Sequence, residues 1–329
     1  MVSRSSARPK NRSQAQTRIQ PRWVSYGFLL VNAICWGAAL IVVKPALEYT
    51  TPFRFLLYRY AIASLLSVGF IWHYWHQIKH KIQTLQTITQ LELIGLTLTL
   101  ALLYTGLNQT SAIEASLITT TTPIFITLGG IWFLREKQER HEWWGLGLAL
   151  LGTLGLILMP LWQRSGLNQN FSLAGNLFVI GQNLTTAAYF VLAKKYYRHW
   201  PKLFVAGISF WIGCLSFLVL SLAEINWQPG LFWQAIWQDW HQPAVILASL
   251  YMAIFGSIIG LTAYIKGQNG IEASEASVFW YLEPLVYLPL GVLWLGEKIN
   301  LSQMISLGLI VLGVILAETR RRQKSQRKK

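Results

Sequence analysis

Apolar residues follow one another in long runs from Trp23 to Ala317, and short groups of polar and charged residues separate these runs. A helix needs about 20 mostly apolar residues to cross the hydrocarbon core of a bilayer. The stretches that meet this requirement are residues 24–43, 53–73, 91–108, 113–134, 143–161, 173–193, 203–223, 244–265, 274–295 and 300–318. The pattern therefore predicts an all-α integral membrane protein with ten transmembrane helices.

An internal repeat relates segment 112–156 to segment 274–318. A shift of 161 residues places Glu114-Ala115-Ser116 on Glu275-Ala276-Ser277, Pro123 on Pro284, and Glu136-Lys137 on Glu297-Lys298, without a gap. Many transporters are built from such two-fold repeats. Because each half has five helices, an odd number, the second half enters the membrane from the opposite side. We expect two inverted five-helix repeats, residues 23–161 and 173–318, joined by a linker at 162–172.

Composition and charge support a membrane protein and indicate its orientation. The chain is 53% hydrophobic and 12% charged, with a mean hydropathy of +0.39, which excludes an ordinary soluble protein. Thirteen of its 28 Lys and Arg lie in the acid-free tails 1–22 and 319–329, so most of the net charge of +15 is at the ends and does not indicate nucleic-acid binding. With a cytoplasmic N-terminus, 23 basic residues face inward and four face outward. The termini are therefore expected in the cytoplasm and the helices in the cell membrane, although the acid-free first tail also fits a transit peptide.

Several classes of site have no signature in this chain. Cys35 and Cys214 lie within apolar stretches and indicate neither a disulfide nor a metal site. The sequence contains neither the HExxH spacing of zinc enzymes nor a GxxxxGK[ST] phosphate-binding loop. We therefore expect no cofactor and no ATP hydrolysis. The expected partners are a small-molecule substrate and the lipid bilayer, and a monomer would suffice.

The connection from Glu224 to Gln242 is rich in tryptophan. Trp233, Trp237 and Trp240 recur at helical spacing, and tryptophan favours the membrane interface. Two interpretations are open, an amphipathic helix lying flat on the bilayer or an irregular loop with aromatic anchors.

One face of the ninth span carries most of the polar chemistry. Its residues Ser277, Trp280, Glu283, Pro284 and Tyr287 follow one another at helical spacing. The 161-residue shift pairs them with Ser116, Thr119, Thr122, Pro123 and Ile126 of the fourth span. These two helices should face one another. Each proline interrupts helical hydrogen bonding, so Pro123 and Pro284 are either static kinks or gating positions.

Two charged residues lie within predicted spans, where charge is costly and marks candidate functional positions. Glu283 is placed near the middle of the bilayer, where burial favours the neutral carboxyl, so it could carry a proton; the alternative is a structural carboxyl bonded to a neighbouring helix. Arg59 either snorkels outward, or contacts an anion, or pairs with Glu283.

Further polar and aromatic residues are candidates for a substrate cavity. These are Asn32, Trp36, Tyr104, Thr119, Asn183, Tyr189, Tyr264 and Trp280. Aromatic walls with a few polar groups suit small organic ligands. Each residue could equally be a structural contact, because membrane bundles also use Asn and Gln to join helices.

The paired segments resemble the EamA repeat of the drug/metabolite transporter superfamily. The resemblance rests on the EAS lead-in, the mid-helix proline, the closing Leu-x-Glu and the glycine-spaced helix after it, and it includes Leu282-Glu283-Pro284 and the position of Arg59. It covers residues 23–317 and implies ten helices, a central cavity and movement, often outward, of small metabolites such as amino acids. The first repeat departs from the pattern at Thr122 and Arg135, which puts the equivalence of the halves in doubt.

Three functions follow as hypotheses. The first is a secondary transporter that exports small organic metabolites by alternating access, with or without proton coupling through Glu283. The second is a membrane-embedded enzyme acting on a lipid or small metabolite, which would need a nucleophile, a metal cluster or paired acids at one depth. The third is a non-transporting scaffold, which would leave the polar stripe without a role.

Overall fold

The computed structural model describes residues 21–119, 121–122, 124–125, 143–145, 147–148, 150–152, 154–155, 172–197, 200–268 and 278–318. Its described stretches that are long and apolar enough to cross a bilayer are Trp23–Glu48, Pro52–Trp75, Lys81–Gln109, Lys202–Glu224 and Pro243–Tyr264. Shorter apolar helices cover Val286–Leu295 and Leu301–Gly313. The chain is therefore an all-helical, multi-pass membrane protein over the part described.

The first half begins with a helix that is interrupted rather than continuous. Its elements are α1 (Arg22–Gly37), α2 (Ala39–Val43), a 3-10 turn (Lys44–Glu48), α3 (Pro52–Trp75), α4 (Lys81–Glu92), a π segment (Leu93–Leu98), α5 (Thr99–Gln109) and α6 (Ala112–Thr119). The predicted span 24–43 is confirmed within the membrane-length stretch Trp23–Glu48, although the backbone turns at Ala38 and separates α1 from α2. The prediction for α3 is confirmed to within two residues at either end.

The second half contains α7 (Leu173–Tyr196), α8 (Lys202–Glu224), α9 (Pro229–Asp239), α10 (Pro243–Tyr251), a second π segment (Met252–Ile259), α11 (Gly260–Gln268), a 3-10 turn (Val278–Leu282), α12 (Glu283–Leu295) and α13 (Leu301–Glu318). The prediction of a single kinked α-helix over 274–295 is wrong within the described residues. The 3-10 turn comes first, and Pro284 lies in the first turn of α12. Proline fits there because the first turn of a helix leaves its N–H groups unpaired.

The two π segments occupy matching places in the two halves. The 161-residue shift places Leu93 on Ile254 and Leu98 on Ile259, both inside the second π segment. In each segment a hydroxyl reaches back five residues: Thr99 Oγ1 donates to the Ile94 carbonyl at 3.1 Å and Ser257 Oγ to the Met252 carbonyl at 2.9 Å. π-Helical turns are rare and frequently accompany functional sites.

The first helix of each half packs antiparallel to the third helix of the other half. A methyl group added at Gly106 of α5 would lie 2.7 Å from both the Gly175 carbonyl oxygen and Val179 Cγ2 of α7. At the matching Gly267 of α11, the contacts are Leu29 Cγ at 2.6 Å and the Ser25 carbonyl oxygen at 3.2 Å. Gly175 and Val179 therefore correspond to Ser25 and Leu29, a shift of 150 residues between α7 and α1. α3 packs along α8.

Helices α6 and α12 contact each other, which confirms the prediction that the fourth and ninth spans face one another. A methyl group at Gly291 would lie 2.8 Å from Ile113 Cγ1. The Glu297 carboxylate, just beyond α12, accepts hydrogen bonds from the backbone N–H groups of Ala112 and Ile113, each at 2.8 Å. A carboxylate here satisfies unpaired donors of the first helical turn. One half thus caps a helix of the other.

The tryptophan-rich connection forms a helix, α9, which confirms the helical interpretation. Trp233 and Trp237 are 67% and 70% exposed, whereas Asp239 at the end of the helix is buried. Asp239 Oδ2 accepts from Arg54 Nε at 2.8 Å, from the Tyr58 hydroxyl at 2.7 Å and from Thr50 Oγ1 at 2.5 Å. These bonds fix α9 to the start of α3 with its indole rings directed outward. A position in the membrane plane stays a prediction.

Candidate functional site

Three aromatic side chains predicted for the cavity lie against one another. The ring centroids of Trp36 and Tyr264 are 5.7 Å apart, those of Tyr264 and Trp280 are 5.5 Å apart, and those of Trp36 and Trp280 are 6.1 Å apart. The rings come from α1, α11 and the 3-10 turn before α12. Trp36 and Trp280 are partly exposed. They form an aromatic cluster where the interrupted first helix meets the second half.

Hydrogen bonds hold α1 to the second π segment and to the start of α11. Trp36 Nε1 donates to the Gly256 carbonyl oxygen at 3.0 Å, and Asn32 Nδ2 donates to the Gly260 carbonyl oxygen at 3.0 Å. The π geometry shifts carbonyl groups out of the regular helical ladder, so they can accept from side chains. The Asn32 amide is buried, and its Oδ1 has no hydrogen-bond partner in the part of the chain that is described.

Arg59 lies inside the protein and not at the bilayer surface, so the snorkelling interpretation is wrong. Its side chain is 8% exposed. Nε donates to Ser257 Oγ at 3.0 Å, Nη1 donates to the Tyr104 hydroxyl at 3.1 Å, and the guanidinium carbon lies 5.0 Å from the centre of the Tyr60 ring. Within the described ranges all of its hydrogen bonds go to neutral hydroxyls, and none goes to Glu283. Burying a cation without a counter-charge is costly, so this arginine is suited to an anionic ligand group.

The aromatic cluster and Arg59 are connected through two consecutive residues of the second π segment. Gly256 binds Trp36 through its carbonyl, and Ser257 binds Arg59 through its hydroxyl. The structure therefore connects Trp36, Tyr264 and Trp280 to Arg59 and Tyr104 through Gly256 and Ser257, and a substrate cavity among them stays a prediction. Phe55 stacks on Tyr104 at 5.6 Å and holds the phenol in place. Sequence reasoning missed Ser257, which carries no signal beyond being a hydroxyl in an apolar helix.

Glu283 begins α12 beside the end of α1. A methyl group at Gly37 would lie 3.1 Å from the Glu283 carbonyl oxygen and 2.9 Å from Val286 Cβ, so only a glycine allows this close approach. The Glu283 side chain is partly exposed. Among the described residues no hydrogen bond or ion pair reaches its carboxylate, so the interpretation as a carboxyl bonded to a neighbouring helix finds no support here. Two interrupted helices thus meet at one acidic residue.

Asn183 and Thr119 lie at the corresponding interruption in the first half. Asn183 Nδ2 donates to the Ile118 carbonyl oxygen and to Thr121 Oγ1, both at 2.9 Å. Thr122 Oγ1 lies 2.7 Å from Asn183 Oδ1 and 2.6 Å from the Thr119 carbonyl oxygen. The Thr119 hydroxyl itself donates to the Ser116 carbonyl at 2.8 Å. Pro123, the predicted gating residue that follows, lies outside the described residues.

Tyr189 lies apart from the aromatic cluster. Its hydroxyl donates to Glu92 Oε1 at 2.9 Å, and the Tyr197 hydroxyl donates to the same oxygen at 2.8 Å. The Tyr189 ring packs directly on Gly95 of the first π segment. Sequence reasoning missed Glu92, which is 2% exposed, because an acid at the predicted start of a span resembles an interfacial residue. The signal that could have identified it is the pair Tyr189 and Tyr197, because their hydroxyls lie at the depth of Glu92.

The model of the EamA-like transporter family matches residues 23–158 and again residues 173–319. The uncharacterized transporter YwfM of Bacillus subtilis is 23% identical over 91% of this chain and 95% of its own length. A chloroplastic WAT1-related protein of Arabidopsis thaliana is 26% identical over 85% of this chain and 66% of its own.

A solved structure, described only as the crystal structure of a protein, superposes with a TM-score of 0.61 and 17% identity. It covers 92% of this chain and 99% of that one, a likeness that shows the fold. The family match extends over nearly the whole sequence, and the relatives in it are named transporters. The chain belongs to the EamA-like transporter family of the drug/metabolite transporter superfamily, and it is a membrane transporter and not an enzyme.

Proposed function

We propose that this protein is a proton-coupled secondary transporter that exports small organic metabolites, such as amino acids or related compounds, by alternating access. Ten transmembrane helices form two inverted repeats, residues 23–161 and 173–318, with both termini in the cytoplasm of the cell. The substrate binds near the bilayer midplane, between the halves.

The packing of the first helix of each half on the third helix of the other half supports the inverted arrangement. α1 packs on α11 as α7 packs on α5, antiparallel in both cases, and the contacts at Gly267 match those at Gly106. Two halves related in this way can rock against each other around a site between them. The charge difference between the loops supports cytoplasmic termini.

Recognition of the substrate uses three kinds of side chain. Trp36, Tyr264 and Trp280 offer aromatic faces to the apolar part of a ligand. Arg59, which is buried and bonded to neutral hydroxyls, offers charge to a carboxylate. Glu283 offers a carboxylate to an amine, or takes up a proton. A small zwitterion with an apolar side chain matches all three.

The observation that carries this proposal is the Glu283 carboxylate, which has no partner in the described part of the chain and lies where α1 and α12 are both interrupted. A carboxylate that is partly withdrawn from water within a membrane and has no partner is costly, so it tends either to bind a cationic group or to take up a proton. Transport that moves a substrate amine and a proton in opposite directions follows, because the two would compete for this carboxylate.

A transport assay with purified protein in liposomes tests the proposal. A panel of labelled amino acids, organic acids and amines is loaded inside, and efflux is measured with and without a pH gradient. We expect compounds of one class that bears a carboxylate to leave these liposomes faster than they leave protein-free liposomes. We also expect the pH gradient to change their efflux rate. If no member of the panel moves, the proposed substrate class is wrong; if movement ignores the gradient, the coupling is wrong.

A further inference from the structure

The two interruptions at the middle of the bundle are equivalent in position but not in bonding. The 161-residue shift places Glu283 at the position of Thr122, and the 150-residue shift between α7 and α1 places Ala33 at the position of Asn183. Ala33 and Asn183 are both fully buried. The first half therefore has an amide opposite a hydroxyl, where the second half has a methyl group opposite a carboxylate.

In the first half the amide closes the interruption. Asn183 Nδ2 donates to the Ile118 carbonyl, which also accepts from the Thr121 backbone N–H at 3.0 Å, and the Asn183 amide also bonds to the hydroxyls of Thr121 and Thr122. The three contacts of the Asn183 amide are between 2.7 and 2.9 Å. Buried and satisfied polar networks of this kind make a local structure rigid.

In the second half the same place on α1 cannot form such bonds. Gly37 lies against the backbone of Glu283, and Ala33 lies one turn earlier on the same face of α1, because residues four apart share a face of a helix. Tyr26, further back along α1, contacts Phe279 at 5.5 Å between ring centroids, so α1 follows the chain from the 3-10 turn into α12. These contacts and the 150-residue shift place Ala33 on the face of α1 that runs along the start of α12, at the position where the first half has an amide.

We propose that Asn183 is a positioning residue that fixes the interruption of the first half, and that Ala33 determines the availability of Glu283 by withholding a protein partner from it. This inference rests on the proposed transport function. The second half then carries the interruption that changes during the cycle, while the first half provides a fixed surface against which it moves. Glu283 is left to the substrate or to a proton because its neighbour on α1 is too small and too apolar to bind it.

Replacing Ala33 tests the proposal directly. Ala33→Asn installs the amide of the first half beside Glu283, and Ala33→Leu adds a side chain of similar size that cannot donate a hydrogen bond. The probe is dicyclohexylcarbodiimide, an apolar reagent that modifies accessible carboxyl groups within membranes, with mass spectrometry of the peptide that contains Glu283. We expect modification of Glu283 in the parent. In Ala33→Asn we expect the extent of modification to fall by about tenfold or more, since a hydrogen bond from an amide N–H to a carboxylate is among the stronger hydrogen bonds.

Ala33→Leu should retain several times more modification than Ala33→Asn. Equal reductions in both variants would show that bulk alone protects Glu283, and the proposal would be overturned. Asn183→Leu should lower the temperature of unfolding and leave modification of Glu283 within about twofold of the parent, because its contacts lie in the first half. If Asn183→Leu instead raises or lowers that modification strongly, the two interruptions are not independent and the assignment fails.

The labelling assay needs no transported substrate, so its result is separate from the liposome assay. A protein that moves no member of the panel but shows the expected labelling pattern would contradict the proposed substrate class alone. A protein that transports well and whose Ala33→Asn variant is labelled like the parent would contradict only the role of Ala33.

Discussion

The indole Nε1 of Trp36 donates a hydrogen bond of 3.0 Å to the carbonyl oxygen of Gly256. This bond joins the first helix of one half to the π segment of the other, one residue before the serine that binds Arg59. Any movement of α1 relative to the second half must therefore break the bond or carry the π segment along. The aromatic cluster and the buried arginine would respond together.

Removing the aromatic cluster should weaken substrate binding more than it weakens folding. Trp280→Ala removes a large ring that contacts both Trp36 and Tyr264, and losing an aromatic contact of this size should raise Kd by about tenfold or more. Binding is measured in detergent by the intrinsic fluorescence of the remaining tryptophans. Trp237→Ala is the matched control, because that indole is 70% exposed on α9. Unchanged affinity in a Trp36→Ala and Trp280→Ala double variant would place the site elsewhere.

Arg59 should select ligands that carry a carboxylate. Arg59→Gln keeps a hydrogen-bond donor near Tyr104 and Ser257 but removes the charge, so Kd for a carboxylate ligand should rise by about tenfold or more, while the Kd for its amide analogue should change little. The Kd of Arg59→Lys for the carboxylate ligand should lie between the values of the parent and of Arg59→Gln. Lys298→Gln, which removes an exposed positive charge, controls for the change in net charge. If Arg59→Gln weakened binding of the carboxylate ligand and of its amide analogue equally, Arg59 would support only the fold.

The π segment of the first half should not tolerate a side chain at Gly95. A methyl group there would lie 1.8 Å from Tyr189 Cδ2, so the ring that binds Glu92 must move. We expect Gly95→Ala to lower the unfolding temperature by several degrees, since overpacking costs about 1–3 kcal/mol. Gly69→Ala in α3 is the control: nothing lies within 4 Å of its added methyl group, and alanine favours a helix. A Gly95→Ala protein as stable as Gly69→Ala would show that Tyr189 relocates freely.

The sequence predicted the parts of this structure that depend on apolar length and on the repeat. The ends of α3 and α8 and the contact of α6 with α12 follow from these two features. It could not predict the π segments, because widening a helix by one residue leaves no trace in a stretch that is apolar on all sides. The turn at Ala38 also lacks a signal, since Gly37 and two alanines are compatible with a continuous helix. Arg59 could not be assigned to a face, because its span is apolar all round.

The orientation of the chain can be tested with reporter fusions. A fusion at Lys329 should report a cytoplasmic position, and one after Lys298 should report the opposite side, because the helix α13 lies between them. The 23 inward and four outward basic residues predict this orientation. Alkaline phosphatase and green fluorescent protein give opposite signals on the two sides, so each fusion has its own control. The same side for both positions would contradict the inverted ten-helix arrangement.

Glu283 should couple transport to protons, and Glu283→Gln separates that role from a structural one. Glutamine keeps the size of the side chain and can still hydrogen-bond, but it cannot release or take up a proton. We expect the variant to exchange labelled substrate across liposomes at a rate within about tenfold of the parent, and to lose the acceleration that an imposed pH gradient gives the parent. Glu297→Gln is the matched control, because that carboxylate caps α6 and should affect the unfolding temperature without affecting the response to the gradient. If Glu283→Gln accumulates substrate against a concentration gradient as well as the parent does, protons do not act through this carboxyl, and its role is structural.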